Sequence, residues 1–399
     1  MYDAIIVGAR CAGSPTAMLL ARKGYRVLLM DRATFPSEIM RGNFIRYRGV
    51  RYLHRWGLLP RVLASNCPPV RSRSIHLGDF ALTGYPPLEP GIPGELAPRR
   101  NVLDTILVEA AVEAGAELRD GCTVQEVVMD GDRVTGIRAR TKAGGTINAT
   151  ARIVVGADGL HSLVARAAGA QIYHARPTLT CSYFSFWSDL PCPGIEVYVP
   201  GKVLLLCFPT NDDLVCVAGQ WPIDQFPSIR RDVEGFFRKS LERAPELAER
   251  VRQRRREERF LGTGDMPNFF RKPYGPGWAL VGDASYHQDP YSASGISDAF
   301  RDAELLATAL DAGFSGSQPL ATALDRYEQA RNAAALPQYE ETCRLASFAP
   351  PPPQVFQLRT ALRGNQAATD QFFGVMLGTV SAAEFYASDN KQQIMAAAA

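Results

Sequence analysis

The sequence lacks the cysteine and histidine patterns that hold a structural metal or form a redox dithiol. Its eight cysteines stand at positions 11, 67, 122, 181, 192, 207, 216 and 343, with no C-x-x-C pair and no histidine at zinc-ligand spacing. We therefore expect neither a metal site nor a redox dithiol. The cysteines are expected to be reduced thiols in a cytoplasm.

Long apolar runs and a charge excess are also missing. No stretch reaches the roughly 20 consecutive apolar residues that a membrane-spanning helix needs. The chain has 44 basic and 41 acidic residues, for a net charge of +3. We therefore expect no overall electrostatic field that would attract nucleic acid or an anionic membrane. The first apolar strand, from Asp3 to Val7, follows Met1 directly, so we expect no signal peptide and a cytoplasmic location.

What is present suits a globular protein that binds a small molecule. The chain has 399 residues, 46% of them hydrophobic, which is enough for a large core and two domains. Residues 2 to 31 predict a βαβ unit: an apolar strand, a glycine-bearing turn, a helix from Ser14 to Lys23 and a second strand from Val27 to Met30. Both strands are continuously apolar, as is typical of buried parallel strands.

The pattern changes twice further along the chain. Residues 178 to 221 show the alternating residue pattern of β-strands and are rich in aromatics. This predicts a second domain with a mostly antiparallel sheet. Before that stretch, residues 123 to 141 predict a β-hairpin, and residues 153 to 155 a short buried strand. Residues 278 to 282 again form a short apolar strand, and a helix follows after Ser297, as in the N-terminal βαβ unit. The N-terminal domain is therefore predicted to be discontinuous.

The first motif is the turn Gly8–Gly13, which precedes the first helix. Gly8 allows a tight turn, the helix N-terminus offers N–H groups to a diphosphate, and Gly13 permits close helix-to-strand packing. Asp31, at the end of the second strand, can accept ribose hydroxyl groups. Arg10 stands where the fingerprint has its middle glycine, which weakens the match.

Two further motifs point to one family. The second is the run from Gly156 to Ser162 (GADGLHS), and the third is Gly282-Asp283-Ala284 with Pro290 and Gly295 behind it. In this order and at these distances, the three motifs resemble those of the flavoprotein monooxygenase superfamily. That superfamily includes aromatic hydroxylases of the p-hydroxybenzoate hydroxylase type, geranylgeranyl reductases and flavin-dependent halogenases. The resemblance covers roughly residues 1 to 345.

The resemblance implies an α/β (α+β) fold. A Rossmann-like FAD-binding domain would carry an inserted, mostly antiparallel β-sheet substrate domain and C-terminal helices. The expected bounds are residues 1–75, 99–175 and 265–345 for the FAD-binding domain, residues 76–98 and 176–264 for the substrate domain, and residues 354–399 for the helical extension.

The resemblance also implies roles for individual residues. Asp283 would contact the ribityl chain of FAD, Arg100 the diphosphate, and Asp158 the diphosphate region and NAD(P)H. The turn from Pro290 to Ile296 would present N–H groups to the flavin, where a helix N-terminus favours negative charge. The complete set of expected cofactor contacts is Gly8, Arg10, Cys11, Ala12, Gly13, Asp31, Arg32, Arg41, Arg100, Asp158, Gly159, Gly282, Asp283, Pro290, Gly295 and Ile296.

The branches of the superfamily differ in short motifs. The W-x-W-x-I-P motif of the halogenases is missing here. The stretch Leu204–Pro209 keeps the Phe-Pro of the reductases' Y-x-W-x-F-P segment but has lost both of its large aromatics. Since there is also no second dinucleotide fingerprint, the resemblance favours an FAD-dependent monooxygenase that NAD(P)H reduces transiently and that uses O₂ through a flavin C4a-hydroperoxide.

The expected substrate is a small aromatic or polyketide-like metabolite, hydroxylated or epoxidised. A reductase of isoprenoid double bonds and an FAD-binding module without catalysis remain as alternatives. His287 and Tyr286 are candidate catalytic residues, because a histidine near neutral pH can accept a phenol proton. Tyr183, Phe208 and Phe269 are candidate pocket residues that equally suit a hydrophobic core. A homodimer, the substrate's identity and the choice between NADH and NADPH are left open.

Overall fold

The structure is a computed structural model and describes residues 1–37 and 42–396 of the chain. By its contacts the chain forms two compact units. Unit 1 comprises Met1–Asn43, Arg100–Pro177 and Pro267–Thr342. Unit 2 comprises Phe44–Arg99, Thr178–Met266 and Cys343–Ala399.

The strands of the described residues are, in chain order, β1 Tyr2–Val7, β2 Val27–Met30, β3 Arg73–His76, β4 Ala81–Gly84, β5 Glu117–Arg119, β6 Cys122–Asp130, β7 Arg133–Thr141, β8 Thr146–Gly156, β9 Ile172–Arg176, β10 Thr180–Trp187, β11 Ile195–Tyr198, β12 Leu204–Pro209, β13 Val215–Pro222, β14 Leu261–Thr263, β15 Asn268–Arg271, β16 Tyr274–Gly275, β17 Trp278–Leu280 and β18 Tyr286–His287.

The α-helices of the same residues are α1 Gly13–Ala21, α2 Tyr47–Arg55, α3 Leu59–Ala64, α4 Arg100–Glu113, α5 Leu163–Ala167, α6 Phe226–Arg231, α7 Val233–Leu241, α8 Pro245–Arg252, α9 Gly295–Phe314, α10 Leu320–Ala346, α11 Pro353–Ala361, α12 Gln366–Leu377, α13 Ala382–Phe385 and α14 Ser388–Ala396. None of the helices in this described part is both long enough and apolar enough to span a bilayer.

The main sheet of unit 1 has the strand order β16-β17-β8-β1-β2-β5. Strand β1 pairs in parallel with β2 and β8, and β17 pairs in parallel with β8. Ala4, Ile5 and Ile6 of β1 are fully buried, as their continuous apolar run predicted. Because neighbouring parallel strands end at the same edge, the carboxyl ends of β1, β8 and β17 lie side by side.

The predicted hairpin is confirmed as β6 and β7, which pair antiparallel. Strand β8 is longer than the expected short strand, since it runs for 11 residues. Its first half pairs antiparallel with β7, and its second half pairs in parallel with β1. The expectation captured only the buried second half, because the first half alternates between exposed and half-buried residues.

Unit 2 is built on a seven-stranded sheet with the order β14-β10-β13-β12-β11-β3-β4. All of its neighbouring strands pair antiparallel except β11 and β3. One face packs against α7 and α8 in a core that includes Trp187, Leu205, Trp221 and Phe237. The predicted α/β (α+β) class, with its mostly antiparallel second sheet, is thereby confirmed.

The two units divide the chain differently from the expected domains. Residues 44–75, expected in the FAD-binding domain, lie in unit 2, because β3 pairs with β11 and Ile45 pairs with Leu96. The C-terminal helices also belong to unit 2. Phe373 of α12 packs so closely on Gly84 that a Cβ there would lie 2.4 Å from its ring. These pairings join segments far apart in sequence.

Candidate active site

The three glycine motifs meet at one edge of the unit 1 sheet, where β1, β8 and β17 end. A Cβ added at Gly8 would lie 2.3 Å from the carbonyl oxygen of Ala157 in the second motif. One added at Gly282 would lie 2.7 Å from the Cβ of Ala12. At Gly13 it would lie 1.8 Å from the Gly8 carbonyl oxygen. The first turn therefore packs backbone against backbone on itself and on the second turn, and the third packs on the Ala12 side chain, so none of the three positions has room for a Cβ.

Asp31 shapes the first turn. Its Oδ2 accepts a hydrogen bond from the Ala9 N–H at 2.9 Å, and its Oδ1 accepts one from the Ala33 N–H at 2.8 Å. Gly8, with φ of +106°, donates its own N–H to the Met30 carbonyl. A carboxylate oxygen has more than one lone pair, so Asp31 can hold the turn and still accept from a ribose hydroxyl. Arg32 beside it is exposed.

Arg10 is anchored away from its own turn. Its Nη1 lies 2.7 Å from Oδ2 of Asp104 on α4, and its Nη2 donates to the Ser37 hydroxyl at 3.1 Å. The guanidinium also stands 5.7 Å from the ring centroid of Phe35. The residue that replaces the fingerprint's middle glycine thus ties the turn to a second helix.

Asp104 is the centre of a buried charge cluster that sequence reasoning missed. It is fully buried and pairs with Arg10 and, at 2.9 Å, with Arg100. Burial lowers the pKa of the Arg100 guanidinium, but the negative charges of Asp104 and Asp283 and the hydrogen bond to Asp104 raise it, so Arg100 stays charged. Two guanidinium groups on one carboxylate leave a net positive charge, which favours a diphosphate. An acid four residues after Arg100 on an apolar helix was the available signal.

Cys11 belongs to the same cluster as a neutral thiol. Its Sγ donates to Oδ1 of Asp104 at 3.5 Å. Burial raises the pKa of the Cys11 thiol to about 12, so it keeps its proton at neutral pH. Cys11 therefore adds a hydrogen bond to Asp104 without adding charge.

Asp158 of the second motif holds its own turn. Its Oδ2 accepts from the N–H groups of Leu163 (2.6 Å) and Val164 (3.3 Å) at the start of α5, and Ser162 caps the same helix. Its Oδ1 is buried and has no hydrogen-bond partner within the described residues. Burial raises the pKa of Asp158, and the hydrogen bonds from Ser162 and the backbone oppose that shift. Gly159 follows with φ of +81°.

Arg271 links the second motif to the third. From β15 its guanidinium donates to the Leu160 carbonyl at 3.2 Å and to the Ala284 carbonyl at 3.0 Å. Burial lowers the pKa of Arg271, the negative charge of Asp158 raises it, and the net shift is downward. Sequence reasoning did not find Arg271, because no motif contains it and only the pairing of β15 brings it to this edge.

Asp283 of the third motif differs from Asp31 and Asp158, whose carboxylates accept hydrogen bonds from the backbone. It is half-buried and makes no hydrogen bond among residues 1–37 and 42–396, although its charge acts on Arg100. Behind it Asp289 caps the turn that begins at Pro290, accepting from the Tyr291 N–H at 3.1 Å. Helix α9 then begins at Gly295. Its first N–H groups lack acceptors within the helix and carry its positive dipole.

Ala293 adopts a glycine-like conformation in this loop. Its φ of +51° and ψ of 37° lie in the left-handed region, which favours glycine. Left-handed backbone costs an L-residue with a Cβ roughly 1–2 kcal/mol. The loop geometry is therefore kept at the expense of local strain.

The two candidate catalytic residues point to opposite faces of a short sheet. Tyr286 pairs with Phe270, and His287 pairs with Phe269. The Tyr286 ring stacks on Phe270 at 4.9 Å, and its hydroxyl accepts from Arg301 at 2.9 Å. Burial raises the pKa of Tyr286 well above its usual value. These contacts give Tyr286 a role in the core of unit 1.

His287 is held in a defined orientation. Its Nδ1 lies 2.6 Å from the Pro267 carbonyl oxygen, and a carbonyl can only accept, so Nδ1 carries the proton. Nε2 then retains a lone pair. The His287 ring is half-buried, which leaves Nε2 suited to accept a proton.

The three candidate pocket aromatics do not come together within one unit. Tyr183 lies in the core of unit 2 under the helices, 6.3 Å from the Phe226 ring, so it serves the core. Phe208 lies on the opposite face of the same sheet, 5.1 Å from Phe44. Phe269 is in unit 1, with the Arg271 guanidinium 4.2 Å from its ring. Alternation along β10 places Phe184 and Phe186, which sequence reasoning passed over, on the face of Phe208.

Two expectations remain, one on Arg41 and one on metal binding. Arg41, a candidate FAD contact, lies outside the described residues. No group of three or more histidine, cysteine or acidic side chains among residues 1–37 and 42–396 is arranged to hold a metal ion.

Residues 1–341 match the family model described as an FAD binding domain. The chain therefore belongs to this FAD-binding family, within the FAD-dependent monooxygenase superfamily, and it is an FAD-dependent oxidoreductase. The predicted family and the predicted FAD cofactor are both confirmed.

Individual relatives agree with this assignment. Kynurenine 3-monooxygenase of Salinispora arenicola is 29% identical over 358 residues, covering 82% of this chain and 75% of that protein. Digeranylgeranylglycerophospholipid reductase 2 of Methanopyrus kandleri is 27% identical over 311 residues, covering 74% and 73%. The myxobacterial chondrochloren halogenase CndH superposes with a TM-score of 0.80 at 20% identity, covering 99% and 97% of the two chains. This last likeness shows a shared fold alone.

Replacing Gly13 with alanine should impair FAD binding. The new Cβ would lie 1.8 Å from the Gly8 carbonyl, so α1 must move away from the turn. We expect the Kd for FAD to rise at least about tenfold, equivalent to about 1.4 kcal/mol, by fluorescence titration of the apoprotein. Gly24→Ala is the control: a Cβ there meets open space and adds only the strain of a left-handed φ of +86°, so stability should fall while the Kd for FAD stays unchanged. Equal affinities in G13A and wild type would show that the turn does not hold the cofactor.

Replacing Ala293 with glycine should stabilise the protein. Glycine removes the left-handed strain but gains freedom in the unfolded chain, so we expect the free energy of unfolding to rise by about 0.5–1 kcal/mol. Urea unfolding of the FAD-loaded protein measures this change. Ala330→Gly, at an exposed position inside α10, should instead lose about 1 kcal/mol. A loss of stability in A293G would contradict the assigned backbone conformation.

Proposed function

We propose that this protein is an NAD(P)H-consuming monooxygenase that hydroxylates a small aromatic or polyketide-like metabolite. The observation that carries the proposal is the arrangement of the third motif. Half-exposed Asp283 and the N-terminus of α9 stand at the same sheet edge as the positive cluster of Arg10 and Arg100. The likeness to kynurenine 3-monooxygenase over most of both chains supports the same class of reaction.

Each part of FAD has a matching group in unit 1. The net positive cluster around Asp104 suits the diphosphate, Asp31 suits the adenosine ribose, and Asp283 suits the ribityl hydroxyls. The positive end of α9 would stabilise negative charge on the flavin ring. When bound, FAD supplies hydride acceptance and oxygen activation, which are the cofactor's own chemistry.

His287 supplies the proton chemistry that a phenolic substrate needs. Since the Pro267 carbonyl fixes the proton on Nδ1, Nε2 keeps the lone pair with which His287 would act as a base. Removing the phenol proton makes the ring richer in electrons and more reactive toward an electrophilic oxygen.

A reductase of isoprenoid double bonds is the second candidate. The likeness to digeranylgeranylglycerophospholipid reductase 2 and the retained Phe208-Pro209 pair favour it. Such an enzyme would turn over without O₂, so the dependence of turnover on O₂ distinguishes the two candidates.

The purified protein should be yellow and should oxidise NADH or NADPH while consuming O₂. We expect phenols or aromatic amines in a substrate panel to accelerate both and to gain one oxygen atom, detected with ¹⁸O₂ by mass spectrometry. Turnover of a prenyl lipid under argon would replace this proposal with the reductase. A flavin that neither NADH nor NADPH reduces would exclude both.

His287→Ala should slow hydroxylation of a phenol by about 10²–10⁴-fold in kcat, because the general base is lost. FAD content, measured from the flavin absorbance of the purified variant, should stay normal. Tyr286→Phe is the matched control on the other face of the same strand, and it should keep the wild-type kcat. A wild-type kcat in H287A would remove His287 from the chemistry.

A further inference from the structure

One cysteine of this chain differs from the others in exposure. Of the eight cysteines, seven are buried and Cys192 alone is half-buried. Cys192 lies in the loop between β10 and β11 of unit 2, flanked by Pro191 and Pro193. Its thiol is therefore the one that a small oxidant reaches first.

A second cysteine lies directly behind it. Cys207, in the middle of β12, is fully buried, and its Sγ is 3.3 Å from the Sγ of Cys192. Cys192 in turn lies 3.0 Å from the Gly194 carbonyl oxygen. Both sulfurs belong to the helix-covered face of the sheet. The positions of the two cysteines differ by 15, so no C-x-x-C motif marks them in the sequence.

The hydrogen bond between the thiols assigns them different roles. Cys192 donates its S–H to the Gly194 carbonyl, and Cys207 donates its own S–H to the sulfur of Cys192. That hydrogen bond and burial raise the pKa of the Cys207 thiol well above its usual value, so Cys207 keeps its proton. A partly exposed thiol with a donor behind it is the arrangement of an oxidisable cysteine with a resolving partner.

We propose that Cys192 and Cys207 form a reversible intramolecular disulfide when the protein meets hydrogen peroxide. The Cys192 sulfur attacks one peroxide oxygen, the O–O bond breaks, and sulfenic acid and water are formed. The Cys207 sulfur then attacks the Cys192 sulfur and loses its proton, and the S–O bond breaks to release a second water. Overall, two thiols are oxidised by two electrons and one peroxide is reduced to two waters.

The local geometry allows the bond to close. A disulfide has an S–S distance of about 2.05 Å, so the sulfurs must approach by a little over 1 Å. Cys192 lies in a loop, which can take up this movement, whereas Cys207 is fixed in the sheet. Cys216 lies nearby on β13, but Val215 and Val217 on either side of it face the helix-covered core, so Cys216 faces the other way. The pair is therefore specific.

The experiment treats the FAD-loaded full-length protein with hydrogen peroxide, blocks remaining thiols, and maps peptides by mass spectrometry without reduction. We expect one cross-linked peptide pair containing Cys192 and Cys207, which dithiothreitol separates. Cys207→Ser should instead leave Cys192 as a sulfenic acid that dimedone traps. Cys216→Ser is the control and should form the disulfide as wild type does.

Other outcomes would overturn the proposal. These are a wild-type Cys192 that proceeds to sulfinic acid without a cross-link, a bond between Cys192 and Cys216, a link between two chains, or no oxidation of Cys192. Circular dichroism of C207S before treatment establishes that the variant is folded. Should C207S not fold, Cys207→Ala is used in its place with the same expected trapping.

Discussion

The contact on which the site depends is the close packing of the first turn against the second. Gly8 and Gly13 leave no room for a side chain because the Ala157 carbonyl and their own backbone fill the space. This packing requires β1 and β8 to lie side by side in parallel, with Val7 opposite Gly156. It brings the N-terminus of α1, whose N–H groups suit a diphosphate, to the carboxyl edge of the sheet. The positions of Arg10, Asp31 and Asp158 all follow from it.

Arg10 shows how a departure from a fingerprint can be accommodated. A large side chain at the middle glycine would normally obstruct a diphosphate, but here its guanidinium is drawn to buried Asp104. Asp104 has no exposure to water, so its charge needs partners, and Arg10 and Arg100 provide them. The cluster keeps the turn's backbone clear and leaves one positive charge over. In the proposed function that charge attracts the FAD diphosphate.

In both units the alternation of side chains along strands decides which residues are available for chemistry. Adjacent Tyr286 and His287 point to opposite faces, so one packs in the core while the other keeps a lone pair available. The same rule separates Tyr183 from its neighbours Phe184 and Phe186. It also aligns Cys207 with the half-buried Cys192 rather than with the facing strand's Cys216. Strand register thus decides which of two neighbouring side chains is buried in a core.

The sequence by itself determined the βαβ unit, the β6–β7 hairpin, the antiparallel second sheet and the FAD-binding family, because these follow from local periodicity, glycine-bearing turns and motif order. Tertiary structure alone decided the partners of Arg10, the link made by Arg271, the proximity of Cys192 and Cys207, and the place of residues 44–75 and of the C-terminal helices in unit 2. The physical reason is that each of these depends on strand pairing or helix packing between segments distant in sequence. A hydrophobic pattern shows that a face is buried, but not which residue covers it.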